Sequence, residues 1–374
     1  MADSMIPAFD MAAVNAESRE EVRAAINAVI DSDWFILGKQ LNQFEQDYAR
    51  FNQTGFAVGV ANGLDALSIS LAVLGIGPGD EVIVPAHTFI ASALAVSAIG
   101  AKPVLADVNP RTGLLDREQC EKVWSDKVKA IMPVHLYGQL CEMDEIIALA
   151  KAQGAFVLED ASQSHGGLYR NKPSGSLGDI AAASLYPAKN LGAYGDAGVI
   201  TTNNQQLAEQ AALYRNYGSS QKYVHERKGV NSRLSEIQAA VLCVKLKTID
   251  TNIAARREIA REYSEQLADI DAVTLPQVDE HTAPVWHQFV IRTSQRDALQ
   301  SALASQGIET LLHYPTPVHM QQAYADAGFV EGDFPNAELF CQQCLSLPIY
   351  PGLTDTQIAR VTTAVTEYFA QGRG

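Results

Sequence analysis

Phe156-Val157-Leu158-Glu159-Asp160 is a short apolar run that ends in two carboxylates. An Ala/Leu-rich stretch with helical spacing, Met143 to Ala152, precedes it. The same alternation recurs outward in both directions. Apolar runs stand at Ala57-Val60, Glu81-Val84, Pro103-Ala106, Ala130-Val134, Ala155-Leu158, Ile180-Leu185 and Gly198-Thr201, with helical patterns such as Ala66 to Leu74 between them. Strands alternating with helices predict an α/β fold built on a mostly parallel sheet covered on both faces. Such a sheet binds ligands beyond the carboxyl ends of its strands, so the residues just after each run are where chemistry is expected.

Past residue 232 the pattern changes. Ser235 with Gln238 predicts a helix start. Ile237, Val241 and Val244 then share one helix face. Val285 to Arg292 reads as a strand, Arg296 to Gln306 as a helix and Gly307 to Leu312 as another strand, which together make a small α/β unit. The chain is expected to divide into residues 1–250, a large domain, and 251–374, a small C-terminal one. The N-terminal helix carrying Val22, Ile26, Val29 and Ile30 is free to pack on either.

The 374 residues carry 28 Lys and Arg against 43 Asp and Glu, a net charge of −15, with 47% hydrophobic residues. That composition excludes a disordered chain, and no basic face of the kind that coats nucleic-acid phosphates is visible. Met1 to Asp10 is acidic and lacks the apolar core of a signal peptide. No stretch approaches the roughly 18 apolar residues of a membrane span. Five scattered cysteines read as free thiols, and the expected compartment is the cytoplasm. Cys341 and Cys344 form a lone CxxC, read as helix packing, and no metal site is expected.

Three segments carry chemistry. Asp160 ends a buried strand, where a carboxylate needs a partner: a helix cap, a salt bridge, or a positively charged ring nitrogen. Lys189, in Ser184-Leu185-Tyr186-Pro187-Ala188-Lys189-Asn190-Leu191-Gly192, follows a strand and enters a turn with Gly192, Gly195 and Gly198. It is either an ordinary surface lysine or a desolvated amine suited to act as nucleophile or base. Val60-Ala61-Asn62-Gly63-Leu64-Asp65 runs from strand into helix, either a plain turn or a helix N-terminus that binds phosphate. Phe89 stands where an aromatic could stack on a flat ligand or pack in the core, and Asn231 where it could cap a helix. His313, Tyr314 and His319 cluster near the end of a small-domain strand.

Taken in order, these segments resemble the DegT/DnrJ/StrS family of nucleotide-sugar aminotransferases over nearly the whole chain. The resemblance rests on Phe35-Ile36-Leu37-Gly38 with Phe44-Glu45, Val58 to Leu67, Gly79 to Pro85, Glu159-Asp160-Ala161-Ser162-Gln163-Ser164-His165-Gly166, the Lys189 loop, Arg215-Asn216-Tyr217-Gly218 and Asn231-Ser232-Arg233-Leu234. It implies the aspartate-aminotransferase-like fold (fold type I), with a seven-stranded sheet in the large domain, and pyridoxal 5'-phosphate as cofactor, with its pyridoxamine form in the cycle. By resemblance, Lys189 forms the Schiff base with the cofactor aldehyde and Asp160 pairs with the ring nitrogen. Gln163 bonds the ring hydroxyl and Phe89 stacks on the ring. Gly63, Leu64 and Ser184 hold the phosphate. Family members often have Thr where this chain has Leu64, so one hydroxyl donor is missing. Asn231 resembles an asparagine that reaches the phosphate of the neighbouring subunit, which implies a homodimer with shared sites.

The resemblance further implies ping-pong transamination with L-glutamate as amino donor. The branch it favours acts on dTDP-3-keto-6-deoxyhexoses, on the strength of Val285-Trp286-His287-Gln288-Phe289-Val290, Thr310 to Pro315 with His319, and Tyr186-Pro187. Tyr186, His313, Tyr314 and His319 are the candidate contacts to sugar or pyrophosphate. A 4-keto-6-deoxyhexose is the alternative substrate. A sugar dehydratase and a non-catalytic metabolite sensor are the alternative roles; dehydrating relatives carry His where this chain has Lys189. His165 either orients the pocket or packs behind Asp160.

Overall fold

The computed structural model describes residues 5–371; the first four residues of the acidic N-terminal stretch lie outside the described residues. All seven apolar runs form strands of one sheet. Its order is Phe56–Val60, Gly198–Thr202, Ile180–Ser184, Phe156–Asp160, Val128–Ile131, Glu81–Pro85, Lys102–Ala106. Only Gly198–Thr202 runs against the others, pairing antiparallel with both neighbours. The remaining strands therefore end at one edge, which brings together Val60, Pro85, Asp160 and Ser184.

The sheet is buried on both faces because side chains alternate across a strand. Along Glu81–Pro85, Val82 and Val84 join a core with Leu67, Ile69, Val96 and Ala130. Ile83 points the other way into a core with Ile131, Val157, Leu115 and Ile146. A third core wraps the reversed strand: Val199, Ala183 and Leu185 meet Leu41, Phe44, Leu234 and Leu242.

The helix Glu236–Leu246 begins as expected, with the Ser235 side chain accepting from the Gln238 N–H. The Gln238 carboxamide oxygen accepts instead from the Tyr194 N–H at 2.8 Å, tying this helix to the loop that follows Lys189. Glu236 accepts from the N–H groups of Gly38, Gln40 and Leu41, which closes the start of the helix Lys39–Phe51 with a carboxylate. The helix Arg19–Ile30 packs through Val22 on Val241 and Val244, which decides where the N-terminal helix rests.

The helix Ile249–Gln266 spans two cores. Ile253 belongs with Leu41 and Phe44, whereas Ile259, Ala260 and Tyr263 belong with Phe289, Leu345, Val361 and Ile6. Two strand expectations are corrected here. Trp286 takes φ +49°, which breaks the run from Val285, so the strand is only Phe289–Arg292, paired with Cys344–Leu347. Gly307 to Leu312 forms no strand. Ile308 bridges Ile6 and Leu311 bridges Ser346, each as a single bridge, before the chain turns toward His313. Arg296–Ser305 is the expected helix.

No helix of the described residues is long and apolar enough to cross a membrane. Cys341 and Cys344 are free and buried, where the helix Pro335–Gln343 meets Cys344–Leu347. Among the described residues no group of three or more His, Cys, Asp or Glu side chains is arranged to hold a metal.

Candidate active site

The common edge of the sheet gathers the chemistry. Gly63 opens the helix Gly63–Val73, and the Asn62 side chain accepts from the Asp65 N–H at 2.8 Å. The first turn of a helix leaves its N–H groups without intrahelical acceptors, so those of Gly63 and Leu64 remain at the helix mouth. Here the helix comes very close to the next strand. A Cβ on Gly63 would stand 2.5 Å from Ser184 Cβ, so only glycine permits this approach. The first N–H groups of this helix, at its positive end, thus lie beside the Ser184 side chain.

Asp160 is buried, and its charge is met by hydrogen bonds. Ser92 Oγ donates to Oδ2 at 2.9 Å and the Ser162 N–H to Oδ1 at 3.2 Å. The Ser162 hydroxyl in turn accepts from the Ser184 N–H at 3.0 Å, linking this carboxylate to the end of the strand Ile180–Ser184. The Tyr137 N–H donates to Gln163 Oε1 at 2.7 Å, which fixes the amide orientation, so that Nε2 is the donor facing Tyr314 Oη at 3.2 Å. The Phe89 ring is 54% exposed, with its centroid 5.5 Å from that of Tyr314. So exposed a ring is not part of the buried core, and one face is free to meet a flat group.

Lys189 lines a cavity of about 230 Å³. Its loop is tight: the Lys189 N–H donates to the Tyr186 carbonyl at 2.8 Å, and a Cβ on Gly192 would stand 2.2 Å from the Pro187 carbonyl oxygen. Burial lowers the Lys189 amine to about 8, with the Asp160 carboxylate pulling it back up. Three histidines surround it. Burial first, and the Lys189 charge second, lower His165 to about 3 and His313 to about 4, and push His287 well below its ordinary value. The site therefore offers a desolvated amine, a hydrogen-bonded carboxylate and imidazoles held neutral, a set suited to proton transfer.

Of the expected substrate contacts, Tyr186, His313 and Tyr314 line the cavity with Lys189. His319 does not. Its side chain is fully buried, with Nε2 2.9 Å from Glu338 Oε1 and its ring against Phe334, because the chain turns away after Pro315 and Pro317. Asn231 is exposed and lies outside that cavity, bridged to Asn216. Sequence reasoning missed Ser92, Tyr137 and the side chain of His287, whose Nδ1 stands 3.3 Å from Asn190 Oδ1. His287 lay within a quoted segment, but read as a strand residue it gave no sign of facing Lys189. His165 is buried beside the Ser184 backbone, behind Lys189.

The sequence profile of the DegT/DnrJ/EryC1/StrS aminotransferase family matches residues 16–366. A dTDP-3-amino-3,4,6-trideoxy-alpha-D-glucose transaminase of Streptomyces venezuelae is 48% identical over 97% of this chain and 96% of its own. A dTDP-3-amino-3,6-dideoxy-alpha-D-galactopyranose transaminase of Aneurinibacillus thermoaerophilus is 46% identical over 97% and 99%. The crystal structure of S. venezuelae DesV in complex with a ketimine intermediate superposes with a TM-score of 0.97 at 47% identity, covering 98% of this chain and 99% of that one. The chain belongs to this family, and it is a pyridoxal-phosphate-dependent aminotransferase with the type I fold.

Gly63→Ala is expected to force the helix mouth away from Ser184. Losing one or two hydrogen bonds to a charged group corresponds to about tenfold or more weaker cofactor binding. Titration of the apoprotein with pyridoxal phosphate measures this, with the urea midpoint of the apoprotein as control for folding. Unchanged affinity would contradict the placement of the anion at this helix.

Proposed function

We propose that this aminotransferase converts a dTDP-3-keto-6-deoxyhexose to the dTDP-3-amino-3,6-dideoxyhexose, with L-glutamate as amino donor. The observation that carries the reading is Lys189, a lysine with lowered basicity that feels the Asp160 charge and lines a cavity, in a chain nearly half identical to two dTDP-3-amino-sugar transaminases. The residues present fit pyridoxal phosphate. The Gly63 and Leu64 N–H groups with Ser184 suit the phosphate, even without a side-chain hydroxyl at Leu64. The Asp160 carboxylate suits a protonated ring nitrogen, the Gln163 Nε2 donor suits the ring oxygen, and the exposed Phe89 ring suits one face. Bound here, the cofactor supplies an electron sink that lets an amino group and a proton be exchanged at carbon.

The chain's own residues do the rest. Asp160, held by Ser92 and Ser162, would face the ring nitrogen as an acceptor and favour its protonated form. Lys189 Nζ, as the free amine, would take the proton from the donor α-carbon, hold it as the ammonium, and return it to carbon on the same face of the site. With the keto sugar the transfers run in reverse, so the kinetics are ping-pong. Tyr186, His313 and Tyr314 position the sugar and its pyrophosphate. Neutral imidazoles suit this task, because they add no positive charge that would compete with protonation of Lys189.

We also propose a homodimer in which Asn231 reaches the partner's phosphate site. Support comes from an exposed apolar run, Trp34 to Leu37, beside the Glu236-capped helix, and from the exposure of Asn231 itself. The division near residue 250 is proposed as the line between the cofactor domain and the small domain, and the cytoplasm as its compartment.

Enzyme first converted to the pyridoxamine form by glutamate is expected to regain its pyridoxal absorbance rapidly with a dTDP-3-keto-6-deoxyhexose and slowly with the 4-keto isomer. The opposite order moves the enzyme to 4-amination, and no return with either sugar defeats the substrate assignment. Mixing a Lys189→Ala chain with an Asn231→Ala chain is expected to restore part of the activity lost in each. Verified heterodimers that stay inactive would remove Asn231 from the partner's site.

A further inference from the structure

Part of the wall of the cavity that Lys189 lines comes from the start of the chain, more than 170 residues away in sequence. Ile6 is fully buried in the small-domain core. Its N–H donates to the Gly307 carbonyl at 2.8 Å, and its carbonyl accepts from the Glu309 N–H at 2.9 Å. The Ala8 N–H donates to the Glu309 carboxylate at 3.0 Å. Asp10 then caps the short helix Met11–Val14 by accepting from the Ala12 and Ala13 N–H groups. Pro7, Ala8 and Phe9 are thus pinned from both sides, and the Phe9 ring stands edge-on to Tyr350 at 6.3 Å. Ala8 and Phe9 line the cavity, and with them Leu311 and Ile349. Leu311 is 42% exposed, an apolar side chain left open inside a binding cavity. The lining also carries polar groups, among them Tyr186, His287 and His313.

At about 230 Å³ the cavity is smaller than the roughly 300–1,000 Å³ typical of sites that enclose a drug-sized ligand. It suits the reacting sugar ring, with the nucleotide outside. The lining offers that ring both hydrogen-bonding groups and hydrocarbon. We infer that the pinned N-terminal segment is a wall of the sugar pocket, and that Phe9, with Leu311, selects a hexose whose edge lacks a hydroxyl. This rests on the nucleotide-sugar reading above. A hydroxyl turned into the Phe9–Leu311 corner would lose its water and find no partner there. An apolar pocket rejects an added hydroxyl only moderately, by about a hundredfold at most, so the selection is a preference and not an absolute bar.

The test uses a pair of unreactive ligands that differ at one atom, dTDP-6-deoxyglucose and dTDP-glucose, titrated calorimetrically into the holoenzyme. The wild type is expected to bind the deoxy sugar about tenfold more tightly. Phe9→Ala is expected to bring the two affinities within about twofold of each other. Leu311→Thr, which leaves the N-terminal segment intact, is expected to shrink the preference in the same direction. The ratio of affinities is the readout, because a general loss of structure weakens both ligands and leaves their ratio alone. An unchanged ratio in both variants, or equal binding by the wild type, overturns the assignment of Phe9 and Leu311. If the wild-type holoenzyme reacts with glutamate yet binds neither ligand, the nucleotide-sugar reading fails and this inference falls with it.

Discussion

The amine of Lys189 is held between two opposing influences, and the rest of the site is arranged around that balance. Removal from water disfavours its charge, and the Asp160 carboxylate favours it. A lysine left in solvent would be protonated at neutral pH and useless as a base. One fully buried without a carboxylate nearby would give up a proton but hold one poorly. A value near 8 lets the same nitrogen accept and return a proton. Asp160 can play this part only because Ser92 and the Ser162 N–H satisfy its oxygens within the protein. The neutral histidines contribute by adding no second positive charge beside the amine.

The sheet makes this arrangement possible. Six of its strands point the same way, so four segments far apart in sequence deliver Gly63, Phe89, Asp160 and Ser184 to one edge. The reversed strand Gly198–Thr202 lets the chain turn back directly after the Lys189 loop. That keeps the loop short and tight, with its backbone crossing close over Gly192. The segments around Phe289–Arg292 and Leu311 then supply His287, His313 and Tyr314 to the cavity that Lys189 lines.

Much of this was legible in the sequence, for a physical reason. Strands buried on both faces are short unbroken apolar runs, and all seven were visible as such. A carboxylate or lysine placed just beyond such a run stands out, as Asp160 and Lys189 did. The direction of Gly198–Thr202 was not legible, because antiparallel and parallel strands bury the same residues. Val285 looked like the start of a strand because a positive φ at Trp286 leaves no trace in hydrophobicity. Ser92, Tyr137 and Phe9 escaped notice because their partners lie far along the chain and only the folded topology brings them together. His319 misled for the opposite cause: nearness to His313 in sequence meant nothing once the chain turned through Pro315 and Pro317 into the core around Phe334.

The balance at Lys189 is the central claim, and its titration tests it most directly. The rate of acetylation of Lys189 in the apoprotein, followed by peptide mass spectrometry across pH, reports the fraction of neutral amine. The account predicts a midpoint near 8, moving lower in Asp160→Asn because the attracting carboxylate charge is gone. A midpoint near the ordinary lysine value of about 10.4, unmoved by Asp160→Asn, would contradict it.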